Sequence, residues 1–155
     1  MTEIDLLDGL AKEVKKALKD FRLRSAKENR IPINVYTQNL PLKEGKGDEK
    51  QYPYVCVCFD QEEIECVESK RMSLSVYFII GVIDHEKDKQ GFRDVLQIAN
   101  LIYQYLFRKG VIAKAFRLEY PFKILLQSED TYPYFIGGME SRWEMPVMEE
   151  EDKFI

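Results

Sequence analysis

The chain has 155 residues, of which 45% are hydrophobic and 32% are charged, and its formal net charge is −4. This length suits a single domain, which buries roughly 68–70% of its unfolded surface without disulfides or metals. The small negative charge excludes a global field that would draw the chain to nucleic acid or to an anionic membrane. The longest apolar run, residues 76–83, is far too short for a membrane-spanning helix.

The cysteines and the first residues bear on the compartment. Three cysteines is an odd number, which favours free thiols. The start, MTEIDLLDGL, has neither the basic beginning nor the apolar centre of a signal peptide. We therefore expect the protein to be made in a reducing cytoplasm.

The first predicted element is an amphipathic helix that begins near residue 2. Its apolar residues recur at steps of three and four, as at Leu6, Leu10 and Val14. Thr2 or Asp5 can cap its first turn. The rest of its surface carries Lys12, Lys15, Lys16 and Lys19. These lysines could form a phosphate-binding ridge, but the pattern is more typical of a solvated helix face.

Three strands are predicted in the first half of the chain. Residues 33–37 suit a short strand, 54–59 a second one and 72–83 a long third one. The even positions of the third strand are apolar throughout, and its odd positions become apolar towards its end, as expected for a central strand. The charged residues 60–71 predict a turn or a ragged strand edge.

The segment 40–51 contains two glycines and a high density of charge, including Lys43 and Lys46. It has too little apolar surface to pack, so we predict a mobile loop that orders on contact with a partner. The acidic tail, residues 149–155, is predicted to fray.

A second helix is predicted from Phe92 to Leu106, with Gly110 as its stop. Ile98, Leu101 and Tyr105 extend its apolar surface well beyond the usual stripe. A helix of this kind is either deeply buried or meets a second surface, such as another subunit.

The last part of the chain predicts strands over residues 113–119, 122–127 and 134–147. We expect the final strand to close the sheet. One set of its alternate residues is largely apolar and includes Trp143, the only tryptophan. The other set of alternate residues presents Glu140, Arg142 and Glu144 to water or to a polar partner.

The predicted order is helix, strand, loop, two strands, helix and further strands. Because a helical crossover occurs at most once, the sheet should be mainly antiparallel. We therefore predict an α+β fold in one domain, residues 1–155, with about four to six strands and two helices packed on one face.

No constellation of residues predicts catalysis or a cofactor. Cys56 and Cys58 share one side of a strand and could join Cys66 and His85 in a zinc site, but the usual ligand spacing is missing. Buried free cysteines and a solvated loop histidine are the better interpretation. We expect no enzyme activity, no metal and no cofactor.

Several stretches of the sequence form a recognisable series in their order along the chain. They are DGLAKEVKKAL, YPYVCVCFD, SLSVYFIIGVID followed by QGFRDVLQIANLIYQYLF, and the closing run LQSEDTYPYFIGGMESRWEMP. Together these stretches resemble the tail-terminator proteins of long-tailed phages and prophages. The resemblance implies a small α/β domain that forms a ring, commonly a hexamer, on the end of the finished tail tube. Such a ring stops polymerisation of the tube protein and offers a docking surface to the head connector.

The same resemblance implies a structural virion protein that occupies the host cytoplasm during assembly and the neck of the tail afterwards. Its partners would be further copies of itself, the tail tube protein and head–tail connector proteins, with no sequence-specific nucleic-acid contact and no membrane. A closed ring needs a head-to-tail contact between subunits. The candidate contact residues are Glu140, Arg142 and Glu144 on the last strand, Ile98, Leu101 and Tyr105 on the second helix, and Lys43 and Lys46 in the loop.

Two alternatives stay open. The protein could be another component of the head–tail neck, or it could be a small-ligand-binding or hydrolytic α+β domain that acts as a monomer or dimer. The lack of a convergent polar site in the sequence argues against the second alternative.

Overall fold

The structure, a computed structural model, describes residues 2–21, 32–41, 48–66 and 71–146. These residues form an α+β fold in which two helices pack on one face of a six-stranded, mostly antiparallel sheet. The predicted fold class is therefore confirmed. Most of the predicted loop, including Lys43 and Lys46, and the tail 149–155 lie outside the described residues.

Two helices and six strands are defined, with a short 3-10 helix, Asp48–Gln51, ahead of the second strand. The helices are α1 (Glu3–Ala17) and α2 (Phe92–Lys109). The strands are β1 (Asn34–Thr37), β2 (Tyr54–Cys66), β3 (Arg71–Ile83), β4 (Val111–Ile112), β5 (Phe116–Leu126) and β6 (Tyr134–Pro146).

The last strand, β6, lies inside the sheet, whose strand order is β1-β2-β3-β6-β5-β4. It pairs antiparallel with β3 along its whole length on one side and with β5 on the other. The expectation that this strand closes the sheet is therefore wrong, because position in the chain does not decide which strands pair. Among the described strands, β1 and β2 form the parallel pair.

The core lies between the sheet and the two helices. The β3 residues that alternation predicts to be buried, such as Phe78 and Ile80, are fully buried, and so is Trp143 on β6. They share one cluster with Leu10 of α1 and Ile102 of α2. Strand and helix periodicity therefore identifies the core side of both kinds of element.

The ends of the helices are set by residues that the sequence singles out. The Asp5 carboxylate accepts a hydrogen bond from the backbone N–H of Thr2 at 2.7 Å, which caps α1. Gly110 follows α2 with a φ of 71°, a conformation that favours glycine, and its N–H donates to Leu106 O at 2.8 Å. In the described part of the chain, no helix is long and apolar enough to span a membrane.

Two strands extend further than the sequence predicts. β2 continues through the charged residues to Cys66, where a turn or ragged edge is expected, because β3 pairs with it over that length. β5 is one strand rather than two, and the irregularity in its pairing with β6 falls between Glu119 and Lys123. In both cases the neighbouring strand supplies backbone hydrogen bonds, which override local propensity.

Candidate interaction surfaces

The charged row predicted on the last strand lies on the face of the sheet opposite the helices, here called the free face. Glu140 and Arg142 are exposed and Glu144 is half-buried. Across the register, they stand opposite residues of opposite charge on β5, which are Lys123, Glu119 and Arg117 in the same order. Cross-strand pairs of opposite charge favour the sheet. The charged row is therefore part of the sheet's own charge pattern as well as an accessible surface.

A cleft of about 420 Å³ opens beside the charged row. Its walls include Asp60 of β2, Pro121 and Lys123 of β5, and Arg142 of β6. The Lys123 Nζ and Glu140 Oε2 atoms are 4.0 Å apart, and because both side chains are more than half exposed this ion pair contributes little. Carboxylates and cations line the cleft together, which suits a polar partner that carries both charges.

The three α2 residues that widen its apolar surface have different surroundings. Ile98 is fully buried in the core, so its assignment to a subunit contact is wrong. Tyr105 is half-buried and hydrogen-bonds to the carboxylate of Glu13 on α1. Leu101 is exposed. Of the three, Leu101 is the residue that a partner can contact directly.

Glu13 connects the two helices from a nearly buried position. Its Oε1 atom lies 3.2 Å from Lys109 Nζ on α2 and 3.7 Å from Lys16 Nζ on α1. Burial alone would raise the pKa of Glu13, but hydrogen bonds from Tyr105 and Lys109 and the charges of both lysines outweigh it, so the pKa lies below its ordinary value. The carboxylate therefore stays ionised and holds α1 to α2.

Sequence reasoning misses an apolar region on the outer side of α2 and β5, here called the aromatic flank and made of Tyr103, Phe107, Tyr120 and Phe122. The Tyr103 ring centroid lies 4.8 Å from that of Phe122 and 6.0 Å from that of Phe107. The hydroxyl oxygens of Tyr103 and Tyr120 are 3.2 Å apart. Phe107 and Tyr120 are 56% and 55% exposed. The signal in the sequence is the i, i+4 spacing of Tyr103 and Phe107 on one helix.

A second aromatic group covers one end of the free face. Tyr52 lies 5.0 Å from Tyr54 and 5.2 Å from Tyr134 between ring centroids, so the two Tyr-Pro-Tyr motifs meet in space. The Tyr54 ring lies so close to Gly81 that an added Cβ atom would collide with it. The end of β3 is therefore covered on this face by aromatic rings rather than by a helix.

Cys56 and Cys58 belong to the same cluster as Tyr54, and both are buried free thiols, as predicted. Their Sγ atoms are 3.5 Å apart, and this hydrogen bond together with burial raises the pKa of Cys56. His85 is exposed in the turn behind β3. Among the described residues, which do not include the side chain of Cys66, no three His, Cys, Asp or Glu side chains are placed to hold a metal ion.

The chain matches no protein-family model and no curated protein. The surfaces through which the chain can meet a partner are the charged row, the cleft and the aromatic flank. The first two lie on the free face, and the third lies at the outer side of β5.

Proposed function

We propose that this protein is a structural component of phage or prophage tail assembly, which caps the finished tail tube as a ring of identical subunits. In this role it stops polymerisation of the tube protein and presents a docking surface to the head connector. The support is the resemblance of the sequence stretches given above, together with a fold that combines helices with one β-sheet, as the resemblance implies. The proposed role is non-catalytic and uses no cofactor.

The observation that carries the proposal is the set of exposed apolar side chains along β5 and the adjoining part of α2. Phe107 and Tyr120 of the aromatic flank, and Leu125 and Leu126 of β5, are between 41% and 56% exposed. A concentration of exposed apolar side chains on a small domain marks a surface for another protein. In a closed ring, the next subunit covers such a surface on every copy.

The proposed ring has three kinds of partner. Copies of the chain contact one another in the host cytoplasm, the completed ring contacts the tail tube protein, and head–tail connector proteins then dock on it in the virion. The charged row of Glu140, Arg142 and Glu144 offers a polar surface for one of the last two contacts, and Leu101 adds an apolar one on the helix side.

A second candidate function is favoured by the cleft beside the charged row. Its volume of about 420 Å³ is within the range of small-molecule sites, and Asp60, Lys123 and Arg142 can orient a charged ligand there. A small-ligand-binding or hydrolytic domain of this kind would act as a monomer or dimer and would ignore tube protein. A different neck component would instead form a ring that binds the connector and leaves tube growth unchanged.

Native mass spectrometry and negative-stain images test the proposal, with and without tail tube protein. The expected result is a closed ring, and tubes that stop growing when the ring is present. A chain that stays monomeric at high concentration and leaves tube growth unchanged would refute the proposed function.

A further inference from the structure

Within the described residues, the sheet has an open edge on each side. β1 is the outermost strand on one side. On the other side, β4 pairs only with Phe116 and Arg117 of β5, so residues 119–126 have no further strand beside them in the described part of the chain. Open edges present unpaired N–H and C=O groups and readily pair with another strand.

Backbone hydrogen bonds show which groups of β1 face outward. The N–H groups of Asn34 and Gln38 donate to carbonyl oxygens beside and within β2, at 2.9 and 2.7 Å. Successive residues of a strand alternate in direction, so the N–H groups of Val35 and Thr37 point away from β2. The outer side of β1 therefore offers two donors to a neighbouring strand.

The open part of β5 can supply the matching strand. Gln127, just after β5, donates to Ile136 O on β6 at 3.0 Å, so by alternation the N–H groups of Ile124 and Leu126 point away from β6. The strand pairings also make β1 and β5 run in opposite directions. Two copies that are oriented alike can therefore join β5 of one to β1 of the other as an antiparallel ladder.

The side chains at the two edges are complementary. The aromatic flank lies at the open part of β5, since Tyr120 belongs to that strand. A groove of about 500 Å³ lies at the other edge, between α1 and β1, and its lining mixes apolar residues such as Ala11 and Val35 with polar ones that include Asp8, Lys12 and Lys15. Lys12 and Lys15 are exposed. Their ammonium groups suit exposed aromatic rings, because aromatic faces attract cations.

We propose that copies of this protein associate head to tail, with β5 and the aromatic flank of one copy seated on β1 and the α1–β1 groove of the next. This inference rests on the proposed ring and names the contact that builds it. Because the two edges belong to one sheet, each copy has one side of each kind, so the contact can repeat from copy to copy and builds a ring when the rotation between successive copies closes. Both helices lie on one face, so extending the sheet also brings α2 of one copy beside α1 of the next.

Two single substitutions each remove one side of this contact. Phe107→Lys removes an exposed ring of the flank and sets a third ammonium group against Lys12 and Lys15. Thr37→Pro removes an outward N–H of β1 and is compatible with an edge strand. Ile64→Lys is the matched control, because Ile64 is 59% exposed and lies on β2 beyond the part that pairs with β1.

Native mass spectrometry of the four proteins is the test, with far-UV circular dichroism to verify that each is folded. Wild type and Ile64→Lys should form the ring, whereas Phe107→Lys and Thr37→Pro should each give the 18.3 kDa monomer. An equimolar mixture of the two monomeric variants should give a species of twice that mass and nothing larger. Each variant retains the side that the other lacks, so one intact contact can form.

Three results would overturn the inference. If folded Phe107→Lys or Thr37→Pro assembles like wild type, the ring uses another contact. If the two variants stay monomeric on mixing, or if Thr37→Pro forms dimers alone, the contact is not head to tail. If the wild-type chain is monomeric without tube protein but still stops tube growth, the inferred contact is wrong and the proposed function stands. If the monomeric wild-type chain also leaves tube growth unchanged, both the contact and the proposed function are wrong.

Discussion

Replacing Ser141 with alanine breaks a buried chain of hydrogen bonds in the middle of the sheet. Trp143 Nε1 donates to Ser141 Oγ at 2.9 Å, and Ser141 Oγ donates to Val76 O on β3 at 2.8 Å. Trp143 is fully buried and Ser141 is 4% exposed. Ser141→Ala therefore removes the acceptor of an indole N–H that water cannot reach.

The cost follows from what is left unpaired. A buried donor without a partner costs about 1–3 kcal/mol of unfolding free energy, and the loss of one oxygen atom leaves only a small void. In a Trp143→Phe background there is no indole donor, so Ser141→Ala loses only its bond to Val76 O, worth about 0.5–1.5 kcal/mol. The bond to Val76 O is lost in both backgrounds, so the difference between them is the cost of the unpaired indole N–H, about 1–3 kcal/mol, which is the coupling between Ser141 and Trp143.

A double-mutant cycle measures this coupling by urea denaturation, followed by far-UV circular dichroism because Trp143→Phe removes the only tryptophan. All variants should carry Phe107→Lys, so that self-association does not add to the measured stability. Ser75→Ala is the control, since Ser75 is half-buried on the free face. An equal cost of Ser141→Ala in both backgrounds would show that the indole N–H does not depend on Ser141.

The other predictions concern charge, packing and the free face. Glu13→Gln should lower the free energy of unfolding above pH 4.5, the ordinary pKa of this carboxyl group, because Lys109 stabilises the ionised carboxylate in the folded state. In acid titrations, the difference in stability between wild type and Glu13→Gln should vanish as the pH falls through the lowered pKa of Glu13. Gly137→Ala should cost about 1–3 kcal/mol in urea denaturation, since the new Cβ would lie 2.5 Å from Val95 Cγ1. Arg142→Glu makes the charged row wholly acidic and should weaken tube capping while native mass spectrometry still shows the ring; loss of the ring would place the row in the subunit contact.

The alternation of apolar and polar residues is sufficient to predict β3 and β6, because each strand buries every second side chain against the helices. Alternation fails at β2, where residues 61–64 are exposed on both faces of the strand and are kept extended by pairing with β3. It fails again at β5, where Pro121 suggests a break that the sheet accommodates as an irregularity in pairing. In both places the neighbouring strand keeps the segment extended, and the hydrophobic pattern of the segment itself does not show that pairing.

The sequence likewise predicts some parts of the candidate surfaces and not others. The exposure of Glu140 and Arg142 follows from the parity of one strand. The burial of Ile98 does not, because α2 packs against three strands and α1 and so buries more than the usual stripe. The aromatic flank is assembled from α2 and β5 together, and the sequence of α2 does not show which strand will lie beside Phe107.

Strand order also decides what the charged row can contact. β6 lies between β3 and β5 and so has no open edge, and alternation along β6 turns Arg142 to the free face. The open edges of the described sheet belong to β1 and β5. A partner that pairs with an edge extends the sheet sideways, but a partner that meets Arg142 must cover the face. One subunit can therefore make both contacts at the same time. In the proposed role, the ring forms through the edges while the free face stays available to the tube protein, which is why Phe107→Lys and Arg142→Glu should block different steps.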